Sequence, residues 1–183
     1  MAYSSGFSPH PRISYANAAP TSAASEAEYV ELGLSEVCNP VRVMEVLNEV
    51  LPHGFVVLDT AEALKAPLGD LLEASEWVIT LAGAAPGLLD AVSAELLGRG
   101  EYVVERMTKN GLRAFDVRAA IVSLRASDDE TLLLLSRHLT PLVRPDDVVT
   151  ALRRLDARVP AQALLNRLAQ GPLRDGEIGD PLR

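Results

Sequence analysis

The stretch Tyr3-Ser4-Ser5-Gly6-Phe7-Ser8-Pro9-His10-Pro11-Arg12-Ile13-Ser14-Tyr15-Ala16 opens the chain and sets the reading of its fold. Gly6 permits a turn with positive φ. Pro9 and Pro11 bracket His10, and the second proline pushes His10 toward extended geometry, so the imidazole is presented from a stiff, non-helical loop. From Arg12 the pattern becomes strand-like, with Ile13 and Tyr15 on one face and Ser14 and Ala16 on the other. Chain openings are usually frayed, whereas this one runs from a specified loop straight into a strand. The expectation is a domain entered in mid-motif, with an opening strand and helix belonging before Met1.

Outward from that strand, taken as residues 12–18, a small-residue loop at 19–25 leads to Glu28–Ser35. There Tyr29, Glu31 and Gly33 alternate with Val30, Leu32 and Leu34, as in a half-buried strand. Asn39-Pro40 starts a helix, Asn as N-cap and Pro at the first helical position. Val43, Val46, Leu47, Val50 and Leu51 fall on one of its faces, and Pro52-His53-Gly54 stops it. Phe55-Val56-Val57-Leu58 reads as a short buried strand. Strand, strand, helix, strand is a ferredoxin-like βαββαβ unit without its first strand and helix.

A linker at 61–75, with a helical piece near Leu68–Ala74, precedes a second cycle. Trp77–Leu81 reads as a strand, and Pro86 opens a helix that ends at Gly98 or Gly100. Tyr102–Thr108 and Leu112–Val117 form a hairpin around Asn110-Gly111, the strongest short-range turn signal of the chain. Ile121–Ala126 and Thr131–His138 pair across an acidic turn, Pro145 starts another helix, and Ala163–Leu173 supplies a last strand. The predicted class is α+β with two ferredoxin-like halves. Residues 1–60 form the incomplete first half, 76–173 the second half with an inserted hairpin, and 174–183 a loose tail.

Composition narrows the chemistry. Of 183 residues, 48% are apolar but only 4% aromatic, so Leu, Val and Ala must fill the core. Net charge is −8 and uneven: residues 1–75 carry three basic and ten acidic side chains, and residues 76–183 carry fourteen and fifteen. An acidic first half repels phosphate backbones, which argues against general nucleic-acid affinity. Cys38 is the sole cysteine, so an internal disulfide and a cysteine-ligated iron–sulfur cluster are excluded. It reads as semi-buried packing. His10, His53 and His138 lack metal-ligand spacing. No apolar run reaches the roughly 18 residues of a membrane span. The reading is cytoplasmic, with no membrane association.

Candidate functional residues gather in two places. His10, with Arg12 and Ser14, sits on the rigid opening loop, and such loops are where sites live. Its alternative role is to fix that loop through backbone hydrogen bonds. Arg106, Lys109, Arg113 and Arg118 bring four cations to one hairpin, beside Glu101, Glu105 and Asp116. This is an anion-binding pattern, or else the charged protection of an edge. Asp116 and Arg118, two apart, are expected on one strand face as a mutual salt bridge, and Arg144 is expected to complete a polar network. Glu26 and Glu28 are expected on one strand face, without companions that would make a metal site. No catalytic residue, metal ligand or cofactor is assigned.

Gly6-Phe7-Ser8-Pro9-His10-Pro11-Arg12-Ile13-Ser14, Pro20, and Ser25-Glu26-Ala27-Glu28-Tyr29 resemble the opening signature of the radical-SAM-associated family DUF2344. Thr108-Lys109-Asn110-Gly111, Phe115-Asp116-Val117-Arg118 and Val143-Arg144-Pro145-Asp146-Asp147 extend the resemblance. That family tends to read G-F-N-P-H-P, preceded by a strand and a basic helix; here Ser8 stands in place of Asn. The resemblance implies a radical-SAM partner, to which any cluster must belong because one cysteine cannot ligate it. It also implies RNA modification as the joint pathway, from the family's frequent neighbourhood with E/G-type ribonuclease and ribosomal-protein genes.

These residues support two functional readings. The first is a non-catalytic accessory or substrate-presenting protein of a radical-SAM system, meeting RNA through that partner. The second is a small independent enzyme on a phosphorylated or nucleotide substrate, with His10 as acid/base and Lys109 or Arg118 as anion holders. Any ligand site is expected where the Gly6–Ser14 loop meets the hairpin, using His10, Arg12, Ser14, Lys109, Arg113, Asp116 and Arg118. Without its opening elements the chain is expected to be less stable than an extended or partner-bound form.

Overall fold

Backbone geometry makes the protein a mixed α+β chain. The computed structural model describes residues 1–109 and 111–183; Asn110, half of the expected hairpin signal, lies outside the described residues. In chain order the elements are β1 (Ile13–Ala16), β2 (Ala23–Ser25), β3 (Tyr29–Leu32), α1 (Pro40–Val50), α2 (Leu68–Leu71) and β4 (Ala74–Thr80). There follow α3 (Leu88–Leu97), β5 (Val103–Thr108), β6 (Gly111–Asp116), α4 (Val117–Ala120), β7 (Ile121–Asp128) and β8 (Thr131–Arg137). The last elements are α5 (Pro145–Leu155), β9 (Leu164–Gly171), β10 (Leu173–Arg174) and β11 (Glu177–Ile178). Two compact units share them: Met1–Ala18 with Glu28–Leu71 and Asp180–Arg183, and Ala19–Ala27 with Leu72–Gly179. The main boundary, between Leu71 and Leu72, lies within residues 61–75, and in addition the chain enters the second unit early, through β2, and returns to the first at its end.

In the first unit the opening loop is built as its residues dictate. The Ser4 N–H donates to the His10 carbonyl at 2.9 Å, and the His10 N–H donates to Ser4 Oγ at 3.0 Å. Gly6 takes φ +121°, a value that side-chain-bearing residues rarely adopt. β1 then pairs antiparallel with β3, Ile13 opposite Leu32 and Tyr15 opposite Val30, so one face is apolar. Gly33 is required beside it: its N–H meets the Arg12 carbonyl at 2.7 Å, and a Cβ there would lie 2.8 Å from the Arg12 Cβ. Asn39 caps α1, its side chain accepting from the Val41 N–H at 2.9 Å, with Pro40 at the first helical position. The apolar stripe of α1 is present, yet no residue of the helix is buried.

The expected strand at Phe55–Leu58 is not formed. Phe55, Val56 and Leu58 are exposed, and the Val57 backbone is held by a side chain rather than a strand. Asn48 Oδ1 accepts from the Val57 N–H at 2.7 Å, and Asn48 Nδ2 donates to the Val57 carbonyl at 3.0 Å. Those two bonds satisfy the groups a sheet partner would otherwise use.

The second unit holds a five-stranded sheet in the order β2-β9-β4-β8-β7. β4 is antiparallel to both β8 and β9, β7 is antiparallel to β8, and β2 adds parallel to β9 at the edge. β2 falls in the stretch expected as a loop; its three small residues carry no alternation to reveal a strand. Trp77, Ile79 and Leu81 in and beside β4, Leu89, Val92 and Leu96 of α3, Leu132 and Leu134 of β8, and Val148 and Leu152 of α5 make the core. Each such side chain stabilises the fold by about 1.5–3 kcal/mol relative to exposure. The β5–β6 hairpin lies between α3 and β7 in sequence and forms its own two-stranded sheet. The stretch expected as a loose tail instead makes a β10–β11 hairpin, with Asp175 at φ 49° and Gly176 at φ 85°. Asp-Gly at the two central positions suits a type I′ turn. Among the described residues no helix is long and apolar enough to cross a membrane.

Candidate anion-binding site

Strand alternation places Arg106 and Arg113 directly opposite each other on β5 and β6, with Thr108 opposite Gly111. Like charges so placed destabilise a hairpin, and the fold resolves the conflict by engaging one of them. The Arg106 Nη1 pairs with the Asp147 carboxylate, and Nη2 donates to the Leu142 carbonyl at 3.3 Å. Its guanidinium carbon also lies 4.2 Å from the centre of the Phe115 ring, a cation–π distance. Asp147 is buried, accepts from the Arg144 N–H at 2.8 Å, and donates its own N–H to the Arg144 carbonyl at 2.9 Å. The hairpin is thereby fastened to the start of α5.

That fastening leaves a groove of about 450 Å³ lined by Arg106, Met107, Thr108, Lys109, Arg113 and Arg144. The Thr108 hydroxyl donates to the Gly111 carbonyl at 2.8 Å, closing the tip of the hairpin. Asp147 offsets the charge of Arg106, whereas the side chains of Lys109, Arg113 and Arg144 form no ion pair among the described residues. Three cations without an ion pair among the described residues line one concavity, an arrangement whose chemistry suits an anion, since guanidinium groups can bind one bidentately.

Asp116 and Arg118 do not line this groove, and their expected shared strand face is overturned. Asp116 ends β6 and caps α4, its Oδ1 accepting from the Tyr102 N–H at 3.1 Å and the Ala119 N–H at 3.3 Å. Arg118 is already in the short helix, where Nε donates to the Leu97 carbonyl at 3.1 Å and Nη1 to the Ile121 carbonyl at 3.3 Å. Both side chains tie backbone at the junction of α3, the hairpin and β7. Arg144 joins the expected polar network through its backbone, while its side chain lines the groove. That division of labour has no signature in the sequence.

His10, Arg12 and Ser14 are exposed on the loop and first strand of the first unit; Lys109 and Arg113 belong to the second. Glu26 and Glu28 do not share a strand: Glu26 follows β2, its carboxylate accepting from Asn166 Nδ2 at 2.7 Å, and Glu28 precedes β3. Cys38 is exposed rather than semi-buried, because it sits in the loop before the cap of α1.

One pair had no sequence signal. Ser75 Oγ lies 2.7 Å from His138 Nε2, and His138 Nδ1 contacts the Leu72 carbonyl. A carbonyl only accepts, so Nδ1 carries the proton and Nε2 accepts from the serine hydroxyl. The arrangement resembles a nucleophile and its base, but Ser75 is 1% exposed, so no substrate carbonyl reaches it. Burial pushes the His138 pKa down, partly opposed by the bond to Leu72, with the Arg167 charge lowering it further. The pair joins the start of β4 to the residue after β8.

A family model described as an uncharacterized protein conserved in bacteria (DUF2344) matches residues 1–145. The chain belongs to the DUF2344 family. The matched span includes the opening loop, the whole β5–β6 hairpin and every residue that lines the groove. No curated protein matches this DUF2344 chain, and no solved structure does.

Proposed function

We propose that this DUF2344 chain is a non-catalytic accessory protein that holds an anionic substrate for a partner enzyme. The observation that supports it is the groove, where Lys109, Arg113 and Arg144 surround one concavity without an ion pair among the described residues. Its lysine and arginine side chains are hydrogen-bond donors without acceptors, which suits binding an anion. The partner class, a radical-SAM enzyme, and the pathway, RNA modification, come from the family resemblance. A cytoplasmic setting belongs to the same reading, since the sole cysteine is exposed and unpaired.

The scaffold is read in the same spirit as ferredoxin-like in its second unit. β4, α3, β7, β8, α5 and β9 follow a βαββαβ course, and their spatial order β9-β4-β8-β7 supports that reading. The β5–β6 hairpin is then an insertion that carries the site. The first unit is read as the incomplete counterpart, supported by its two-stranded β1–β3 ribbon and the unburied stripe of α1.

The test is a reconstituted reaction with a radical-SAM enzyme, the partner class that the resemblance implies. The expected result is product with the wild-type chain and at least tenfold less with Arg113→Ala or Arg144→Ala, each checked for folding by circular dichroism. The isolated chain should leave nucleoside phosphates intact, and a fluorophosphonate probe should leave Ser75 unlabelled. Turnover by the isolated chain, or full product with both variants, overturns the proposal.

A further inference from the structure

We infer that the groove on the β5–β6 hairpin takes a terminal phosphate, a phosphomonoester or diphosphate on a nucleotide-sized ligand, rather than a run of nucleic-acid backbone. The inference rests on the reading of the groove as an anion site and specifies which anion. Three observations carry it. The first is charge at a point. Lys109, Arg113 and Arg144 bring three uncompensated positive charges to one cavity, while Arg106 is offset by Asp147. A phosphodiester carries one negative charge per nucleotide, and its recognition uses cations strung along a track. A terminal phosphate concentrates about two charges on one group, the better match to a cluster.

The second observation is the surrounding field. The whole chain has a net charge of −8, and the second unit alone has thirteen basic and sixteen acidic side chains. A polyanion leaving the groove therefore meets an acidic body, whereas a compact ligand does not. The cavity volume of about 450 Å³ falls within the range of small-ligand sites. Met107, in the lining, offers a polarizable contact for an apolar or aromatic remainder.

The third observation concerns the donors. The nearby start of α5 is already occupied: Pro145 has no N–H, and the Asp147 carboxylate accepts from the Arg144 N–H. Recognition therefore falls to the side-chain forks of Arg113 and Arg144 and the Lys109 ammonium. Guanidinium forks favour the several free oxygens of a terminal phosphate over the two of a diester.

Calorimetric titration of the full chain separates the outcomes, with four probes: inorganic pyrophosphate, adenosine 5′-monophosphate, the diester dinucleotide ApA, and a 20-mer RNA lacking terminal phosphates. The expected result is that pyrophosphate and the monophosphate bind at least tenfold more tightly than the dinucleotide. Arg113→Ala and Arg144→Ala should each lose at least tenfold, and Arg125→Ala, an exposed cation of β7, should lose less than twofold. Monophosphate binding should also strengthen from pH 5 to 7, as its second ionisation, near pH 6, supplies the dianion. Tighter binding of the unphosphorylated RNA, lost in the same two variants, overturns the terminal-phosphate inference and keeps the anion site. Binding of no probe overturns both.

Discussion

His138 gives the clearest case of a residue whose chemistry is set by what surrounds it. Partial burial disfavours its charged form, and the bonds to Leu72 and Ser75 use both ring nitrogens in the neutral tautomer. The folded-state pKa is lowered, so above the unfolded value of about 6.5 neither state is protonated and the residue makes no pH-dependent contribution. Below it the unfolded chain takes up a proton that the folded chain resists. Stability therefore falls as pH drops from about 6.5 toward the folded-state pKa. Urea midpoints should decline between pH 7 and pH 5 more steeply for the wild type than for His138→Gln. Equal slopes would mean the imidazole titrates alike in both states. His138 carried no signal in the sequence because its partner, Ser75, is 63 residues away.

At the scale of elements, Asp147 shows why a helix start can matter more than the helix. It accepts from the Arg144 N–H at the start of α5 and also anchors Arg106 of β5. Losing a cap costs about 1 kcal/mol, and stranding one member of a largely buried ion pair costs about 3–5 kcal/mol. Asp147→Ala should lower unfolding free energy by about 3–5 kcal/mol, and Asp146→Ala, one position earlier and exposed, by about 0.5 kcal/mol or less. Similar chemical-denaturation midpoints for the two variants would show that the anchor contributes little.

Other elements show what is legible in the sequence. Asn39-Pro40 and Pro145 mark their helices because capping is local. β7 and β8 are readable on either side of their turn. The strand expected at Phe55–Leu58 fails because four apolar residues only become a strand when an edge is available, and here Asn48 takes the Val57 backbone. The hairpin at Asp175-Gly176 had a local signal, for Asp-Gly is a standard two-residue turn, but its strands of two residues each are too short to show alternation. Of the candidate site, Lys109 and Arg113 are legible from cation clustering on a hairpin. The seating of Arg106 and the side-chain role of Arg144 depend on Asp147 and on the register of β5 with β6, neither of which spacing reveals.

Considered whole, the chain divides its apolar residues unequally. Every member of the large hydrophobic core belongs to the second unit. Among the described residues of the first unit only Leu68 and Pro181 are buried, while Phe7, Tyr15, Val37, Val50, Phe55 and Leu58 are exposed. Amide protection follows local burial and contact density, from near zero at loosely packed segments up to the global unfolding free energy in the core. Amides of β4, β8 and β9 should therefore exchange slowest, and those of β1, β3 and α1 at least about 100-fold faster in native-state hydrogen exchange. The α1 amides are the most telling, because an eleven-residue helix without a packed face is marginal in water. If α1 and the β1–β3 ribbon were instead protected as long as β4 at micromolar concentration, their apolar faces would have to be covered in solution. Repeating the measurement across a hundredfold dilution then decides the cover: protection that falls with dilution identifies a second copy of the chain, and protection that does not would contradict the unequal division itself.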